Sequence, residues 1–364
     1  AYPYRSKVTE KLLKSVFSFS SMTLISRILG LVRDIVFARY FGAGMATDAF
    51  FVAFKIPNFM RRLFAEGAFS QGFIPVLSEY KVKRSHEEVQ TLVSKVMGTL
   101  GLVLLILTGV GVLILPPLFD WIGTGWFEGE EKQKFLLAGD LIRWTFPYIF
   151  FISLTALVSG VLNTYRLFAL PAFTPVLLNI VLIGATIGFS PLFDEPVTAI
   201  AIGVFVAGVV QLLFLLPALY RLRLLVVPVW GWIHEGVNRI SRLMVPAIFG
   251  ASVVQINLMI DTAIAFLLVS GSVSWLYYSD RLVEFPLGIF GIALSTVLLP
   301  GLSGRFASDQ TEAFSQLLDW GIRWALIISI PAATGLFVLS GPLIATLFGY
   351  DAFSLHSIET VSYT

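Results

Sequence analysis

The sequence predicts an all-α polytopic membrane protein, and three observations support this fold class. The chain of 364 residues is 57% hydrophobic and only 13% charged, whereas soluble domains contain about 25% charged residues. Its mean hydropathy is +0.85. Apolar runs of about 20 residues, the length that crosses a bilayer as a helix, recur along the chain. The sequence contains no cysteine, which excludes disulfides, thiol catalysis and cysteine metal sites.

Nine apolar runs are long enough to span a bilayer, and a tenth begins near residue 341. They cover residues 14–41, 47–78, 92–119, 138–162, 169–190, 196–219, 246–270, 275–301 and 318–339. Prolines interrupt several of these runs, at Pro57, Pro147, Pro175, Pro286 and Pro331. Membrane helices tolerate such breaks where neighbours or water satisfy the backbone, and the breaks often mark binding regions.

The loops between these runs alternate in charge, which predicts the orientation of the chain. The basic loops are the N-terminal segment and residues 79–91, 163–168, 220–243 and 302–316. The neutral or acidic loops are residues 41–47, 120–134, 190–196 and 270–274. The positive-inside rule therefore places the N-terminus and the basic loops in the cytoplasm. Residues 228–245 mix Trp with Arg and predict a helix lying on the cytoplasmic membrane surface.

Two sequence segments recur at a constant offset of 225 residues. AFSQGFIPVLS (68–78) matches ALSTVLLPGLS (293–303), and LPPLF (115–119) matches SGPLI (340–344). Six predicted spans separate the copies, so both halves have the same orientation. This arrangement is typical of transporters whose substrate binds between two lobes, although a folding module duplicated without transport would show the same repeat.

The first predicted span carries charged residues within an apolar sequence. On an ideal helix, one narrow face contains Ser20, Thr23, Arg27, Gly30 and Asp34. Arg33 lies about 120° away from Arg27 on the same helix. The span therefore has either a broad polar face or a local distortion near Gly30.

The second and eighth predicted spans carry further charges. Asp48, Lys55 and Arg62 recur every seven residues and share a face, but Pro57 can shift the phase so that Arg61 points inward instead. Glu66 follows one turn later. The eighth span adds Asp280, Arg281 and Glu284 beside two tyrosines.

These intramembrane charges need partners or water, because a Lys or Arg at the bilayer centre costs roughly 2.5–3.5 kcal/mol. One interpretation is a set of buried ion pairs that fix helix register: Arg27 with Asp34, Arg61 or Arg62 with Glu66, and Arg281 with Glu284. The three spans, however, contain more cations than anions. An excess of arginine favours a phosphate-bearing ligand, which guanidinium groups bind in bidentate fashion.

Other kinds of site find less support in the sequence. Asp261 is a lone carboxylate in the seventh span and could pair with an arginine, relay a proton or bind Na⁺. The three histidines lie in distant loops, so no metal cluster or histidine-based catalytic group is expected. No phosphate-binding glycine loop is present, and no cofactor and no nucleic-acid partner are expected.

Two long segments resemble the MurJ (MviN) family of bacterial lipid II flippases. They are SSMTLISRILGLVRDIVFARYFGAGMATDAFFVAFKIPNFMRRLFAEGAFSQGFIPVLSEY (20–80) and GSVSWLYYSDRLVEFPLGIFGIALSTVLLPGLS (271–303). The resemblance implies the multidrug/oligosaccharidyl-lipid/polysaccharide (MOP) exporter fold, with two lobes around a central cavity. It also implies that lipid II, an undecaprenyl-pyrophosphate-linked peptidoglycan precursor, is moved from the cytoplasmic to the outer leaflet of the bacterial inner membrane. The energy would come from a Na⁺ or H⁺ gradient or from the membrane potential.

The resemblance also assigns roles to individual residues. The family's cavity arginines match Arg27, Arg33, Arg61 and Arg281, which would bind the substrate head group. Its acidic position near the outer end of the second span matches Asp48, and its sodium-site carboxylate corresponds to Asp261. We expect a surrounding charge or gating network formed by Asp34, Asp48, Lys55, Arg62, Glu66 and Glu284.

The resemblance and the span predictions together divide the chain into three parts. Residues 1–222 form an N-terminal lobe of six spans, 223–245 a cytoplasmic amphipathic connector, and 246–364 part of a C-terminal lobe. The family has fourteen spans, of which this chain would contain nine and the start of the tenth. Expected partners are lipid II, membrane lipids and cell-wall synthesis proteins. The alternatives are a MOP-type exporter of another polyprenyl-linked glycan or of drugs, a membrane enzyme acting on lipid pyrophosphates, and an interaction scaffold.

Overall fold

A computed structural model describes residues 3–62, 69–287 and 311–364, together with a few positions between 294 and 308. Within these residues the secondary structure is helical, without strands. The α-helices whose bounds lie in the described ranges are α1 (Pro3–Phe41), α2 (Met45–Arg61), α3 (Phe69–Lys83), α4 (His86–Trp126), α5 (Gly129–Thr145), α6 (Tyr148–Thr164), α7 (Ala169–Phe189), α8 (Val197–Arg221), α9 (Glu235–Phe266), α10 (Ser272–Pro286), α11 (Thr311–Phe348) and α12 (Leu355–Tyr363). The predicted all-α fold class is confirmed.

Five helical units of the described chain are long and apolar enough to cross a membrane. The first unit is α4. The second is the pair α5 and α6, which together cover Gly129–Thr164. The other three are α7 with its extension to Leu192, α8 and α11. Helix α9 is a sixth if its two arms, Glu235–Gly250 and Gln255–Phe266, which meet at a bend of 48°, form one span. Helices α2 and α10 are only 17 and 15 residues long. These two short helices contain many of the intramembrane charges.

Several predicted spans have different boundaries in the structure. The run at 47–78 comprises α2 and α3, and residues 63–68 lie outside the described part of the chain. The run at 138–162 is divided between α5 and α6 at Phe146–Pro147, where proline has no N–H to donate. The predicted tenth span near residue 341 is wrong, because residues 341–348 continue α11 and the next helix begins at Leu355.

The predicted surface helix at 228–245 is also wrong in its bounds. Residues 224–230 are not helical and run along the start of α4, where the Val229 amide donates to the Ser94 carbonyl at 3.1 Å. Gly98 permits this contact, since a Cβ there would lie 2.3 Å from the Val229 carbonyl oxygen. Pro228 disfavours a helix in this strap. The helix begins only at Glu235 and continues into the long α9.

The helix boundaries repeat with the offset found in the sequence. Phe41, the end of α1, lies 225 residues before Phe266, the end of α9. The same interval separates the ends of α2 and α10, and it also separates His86, where α4 begins, from Thr311, the first described residue of α11. Residues 293–303, the second copy of the first repeat, lie largely outside the described residues. The matching boundaries support an internal duplication in which α1 corresponds to α9 and α2 to α10.

Two buried apolar clusters lie at opposite ends of the helices. We call the end containing Gly42 and Gly271 the outer end and the end containing Arg84 and Arg223 the inner end, after the orientation that the loop charges predict. The outer cluster includes side chains of α2, α5, α9 and α10. The inner cluster includes side chains of α3, α4, α6 and the start of α9. Helix α9 therefore contacts the first half of the chain at both ends.

Candidate functional site

A buried charge network joins the two halves of the chain. At its centre is Asp34 of α1, whose side chain is 1% exposed. Arg33 donates to one Asp34 oxygen through Nε at 3.0 Å and Nη2 at 2.7 Å. Arg281 of α10 donates to the other Asp34 oxygen through Nε at 2.6 Å. One carboxylate therefore accepts from two guanidinium groups, one from each half.

Two uncharged side chains complete this network. The Tyr277 hydroxyl donates to Asp34 at 2.8 Å and lies 2.9 Å from Arg33 Nη2. Asn179 of α7 accepts from Arg33 Nη1 at 3.1 Å and donates to the Ser26 carbonyl at 3.1 Å. Tyr277 also stacks on Phe51 of α2, with ring centroids 3.9 Å apart. These contacts fix Arg33 in one orientation.

The charge balance of this network favours an anionic partner. Arg33 and Arg281 carry two positive charges around the single negative charge of Asp34. Glu284 approaches Arg281 at 3.4 Å, but its side chain is 53% exposed and therefore well solvated. Arg281 is itself one-third exposed. A guanidinium with free donors at an accessible edge can bind a second, external anion.

Asp48 connects the halves at the outer end. It is fully buried at the start of α2. Its two oxygens accept from the backbone amides of Gly271 and Ser274, each at 2.8 Å, and one also accepts from the Ser274 hydroxyl at 2.6 Å. A carboxylate at the N-terminus of a helix satisfies free amides and interacts favourably with the helix dipole. Asp48 thus attaches α2 to the first turn of α10.

A second group of charges lies near the network, around Lys55. Lys55 is half-buried, and the carboxylates that interact with its ammonium are those of Asp280, Glu284 and Asp261. Asp261 and Asp280 are both exposed. No three His, Asp or Glu side chains come together as metal ligands within the described residues. The sodium site at Asp261 stays a prediction.

The expected ion pairs form only in part. Asp34 is paired with Arg33 and Arg281 rather than with Arg27, which is half-buried about two turns earlier on α1. The pair between Arg281 and Glu284 is present. The pairing expected for Arg61 or Arg62 falls on Glu66, which lies outside the described residues. Arg61 donates to Asn58 at 2.9 Å, and both Arg61 and Arg62 are half-buried.

The sequence analysis missed Asn179 and the role of Tyr277. Asn179 is the only amide side chain in the apolar sequence of α7, and an amide in such a run usually has a buried partner. Tyr277 lies one turn before Arg281, the spacing that places both on one helix face. Both signals were present, but the partner on α1 could not be deduced from spacing within one helix.

The helical fold, the duplication and the buried charges shared by the two halves define a membrane transporter. The fold itself is shared with a solved structure: a MATE family multidrug transporter of the MOP superfamily in an inward-facing conformation matches with a TM-score of 0.72 and 15% identity, over 95% of this chain and 78% of that one. The family model described as lipid II flippase MurJ matches residues 37–364. The chain belongs to the MurJ family, as the sequence resemblance predicted.

Individual relatives agree with this assignment. A probable lipid II flippase MurJ of Vibrio cholerae is 48% identical over 98% of this chain and 69% of its own length. A lipid II flippase MurJ of Burkholderia cenocepacia is 44% identical over 96% of this chain and 68% of its own length. A solved lipid II flippase MurJ in an inward closed conformation matches with a TM-score of 0.78 and 30% identity, over 94% of this chain and 70% of that one. The protein is therefore a transporter and not an enzyme.

Proposed function

We propose that this protein moves lipid II across the bacterial inner membrane by alternating access, and that cavity arginines bind the pyrophosphate of the lipid. The flippase activity follows from membership of the MurJ family. The head-group role of Arg27, Arg33, Arg61 and Arg281 is supported by one observation above all. Arg33 and Arg281, from different halves, share one carboxylate and leave an excess of positive charge.

In this mechanism the pyrophosphate competes with Asp34 for the guanidinium groups. A diphosphate offers several oxygens to planar, bidentate donors, which a single carboxylate cannot match. Arg281 is the more accessible of the two arginines and would bind the lipid first. The polyprenyl chain stays in the bilayer while the head group enters between the lobes.

Binding at Arg281 can be transmitted to the outer end through α10. Ser274, which binds Asp48, precedes Arg281 by two helical turns, about 10 Å along the axis. A displacement of α10 that moves Arg281 away from Asp34 therefore acts on the contact with Asp48 as well. We propose that this contact breaks as the outer end opens. The coupling ion, Na⁺ or H⁺, would act at Asp261, or the membrane potential would act on the same charges.

The proposal is tested by changing arginine to lysine, which keeps the charge but removes the planar pair of donors. We expect Arg281→Lys and Arg27→Lys to lower lipid II flipping at least tenfold at normal expression. The measurement is the accessibility of lipid II in the outer leaflet of cells depleted of the native protein and supplied with each full-length variant.

Arg84→Lys is the matched control, because Arg84 is an exposed arginine paired with Glu88 far from the network. It should flip lipid II at the wild-type rate. Normal flipping by both Arg27→Lys and Arg281→Lys would contradict the head-group role of these arginines. Loss of flipping in the Arg84→Lys control would show that the assay reports general damage rather than binding.

A further inference from the structure

Lys134 of α5 is a buried charge that the proposed mechanism does not use. The residue is 1% exposed, although lysine is almost never fully buried without a partner. Its Nζ donates to the carbonyl oxygen of Leu268 at 3.0 Å and lies 4.9 Å from the centre of the Phe266 ring. Asp48 is the carboxylate that acts most strongly on its charge.

The backbone carbonyl that Lys134 binds lies two residues beyond the end of a helix. Helix α9 ends at Phe266, and Leu268 lies in the short turn that leads to α10. The last carbonyls of a helix have no partners within the helix and carry the negative end of its dipole. A cation is therefore the appropriate partner at this position.

The turn between α9 and α10 is thus held by two opposite charges from the first half of the chain. Lys134 binds where α9 ends, and Asp48 binds the amides where α10 begins. Each charge has the sign that favours its helix end. Because both contacts cross between the halves at the outer end, the halves cannot separate there unless both are broken.

We propose that Lys134 is a positioning residue of the outer closure, which together with Asp48 holds the α9–α10 turn and releases it when the outer end opens. This inference rests on the proposed alternating access. The lysine acts through the backbone of the turn and does not touch the transported lipid.

A second contact at the outer end shows what distinguishes Lys134. Arg39 and Asp351 also join the two halves, at 2.6 Å, but their side chains are 58% and 63% exposed. Exposed ion pairs contribute little because water and salt screen them. The buried Lys134 has no such competition from water, so its loss should affect closure more than the loss of the surface pair.

The test measures access to each end separately, using the absence of cysteine from this sequence. Val273→Cys reports on the outer closure and Val237→Cys on the inner end, since both valines are buried. Each reporter is the single cysteine of an otherwise cysteine-free full-length protein in nanodiscs and is labelled with a water-soluble maleimide. Lys134→Met removes the charge at similar volume. Lys134→Arg keeps a cation, and Lys132→Met changes a lysine two residues away.

We expect Lys134→Met to increase the labelling rate at Val273→Cys about tenfold, the size of effect expected for loss of a charge-assisted hydrogen bond. Labelling at Val237→Cys should not increase. Lys134→Arg should restore slow labelling and Lys132→Met should match the wild type. Asp351→Asn should change the rate less than Lys134→Met.

Three results would overturn the inference. They are an unchanged rate at Val273→Cys in Lys134→Met, a rise at both reporters, which indicates general loosening, and an equal effect of Lys132→Met. A failure of alternating access itself would look different. In that case lipid II would not change the labelling of either reporter in the wild-type background, whatever the effect of Lys134.

Discussion

Asp34 is the residue on which the central network depends. Its two oxygens accept from Arg33, Arg281 and Tyr277, and its side chain is almost completely buried. Removing one partner of a buried ion pair leaves an uncompensated charge, which is strongly destabilising. Here the change would leave two guanidinium groups facing each other.

We therefore expect Asp34→Asn to lower the free energy of unfolding by about 3–5 kcal/mol, the range for a broken buried pair. The measurement is thermal or denaturant unfolding of the purified protein in detergent. The double variant Asp34→Asn with Arg281→Gln should recover part of this loss, because it removes one of the two unpaired cations. A double variant that is less stable than Asp34→Asn would contradict this account.

At the residue scale, the sequence predicted which charges need a partner better than it predicted which residues pair with one another. Arg33, Asp34, Asp48 and Arg281 were recognised because a charge in an apolar run needs a partner. The pairing of Asp34 was wrong, because helical periodicity relates residues of one helix and gives no information on the neighbouring helix. Lys134 was assigned to an acidic loop, where a lysine is unremarkable, and only the fold shows that it is buried.

At the scale of helices, α3 and α9 approach closely at the inner end because α3 contains Gly72. A Cβ at this position would lie 2.9 Å from the carbonyl oxygen of Ile240 and 3.4 Å from the amide of Met244. Both of these neighbours are backbone atoms of α9. A side chain at position 72 must therefore push the two helices apart.

We expect Gly72→Val to open the inner end selectively. The labelling rate at Val237→Cys should rise several-fold, whereas labelling at Val273→Cys should stay unchanged or fall. Gly101→Val on α4 is the control, because a Cβ at Gly101 has nothing within 4 Å. Equal labelling of Val237→Cys in Gly72→Val and the wild type would show that the close approach does not limit access.

At the scale of helices, the composition predicted that the elements are apolar membrane helices, but it did not predict where several of these helices begin and end. Length and hydropathy identify α4, α7 and α8 because each of these helices contains a long apolar stretch. The same measures joined α5 to α6, since apolarity does not change where Pro147 interrupts the helix. The strap at 224–230 contains Val and Trp, and only its hydrogen bonds to α4 show that it is extended.

Across the whole molecule, the two halves touch at both the outer and the inner end. At the inner end Arg239 of α9 forms a 2.7 Å ion pair with Glu79 of α3. The hydrogen bonds from Arg239 and from Lys83 lower the pKa of the Glu79 carboxyl. Because the pKa of Glu79 is lowered, the ion pair stabilises the contact between α3 and α9 at pH values above the pKa of an unpaired glutamate. This stabilisation is lost as the pH falls through the lowered pKa of Glu79.

We expect acid to loosen the inner contact. Spin labels at the exposed positions Val82 and Asn238 should show longer distances by pulsed EPR at pH values below the usual pKa of glutamate, about 4.3, than at pH 7. Glu79→Gln should show the same distances at both pH values, because it cannot titrate. A pH response that persists in Glu79→Gln would assign the effect to another group.

At the scale of the molecule, the repeat was the most informative part of the sequence. The offset of 225 residues was found from two short segments, and it reappears in the boundaries of α1 and α9, of α2 and α10, and of α4 and α11. A duplication constrains the topology of both halves at once. It could not predict how the halves are closed against each other, because that depends on single contacts such as Asp48 with α10, which have no counterpart in the other half.

The attachment of α9 at both ends has a consequence for the electrical insulation of the membrane. Its first turns lie against α3, and its last residue, Phe266, lies against Phe135 of α5 with ring centroids 4.8 Å apart. In the proposed alternating access, the contacts of α9 at one end break while its contacts at the other end remain. In the alternating access proposed above, a large hydrophilic cargo would cross while one of the two contacts always closes the path to protons and other small ions, and the cell would keep its ion gradients during export.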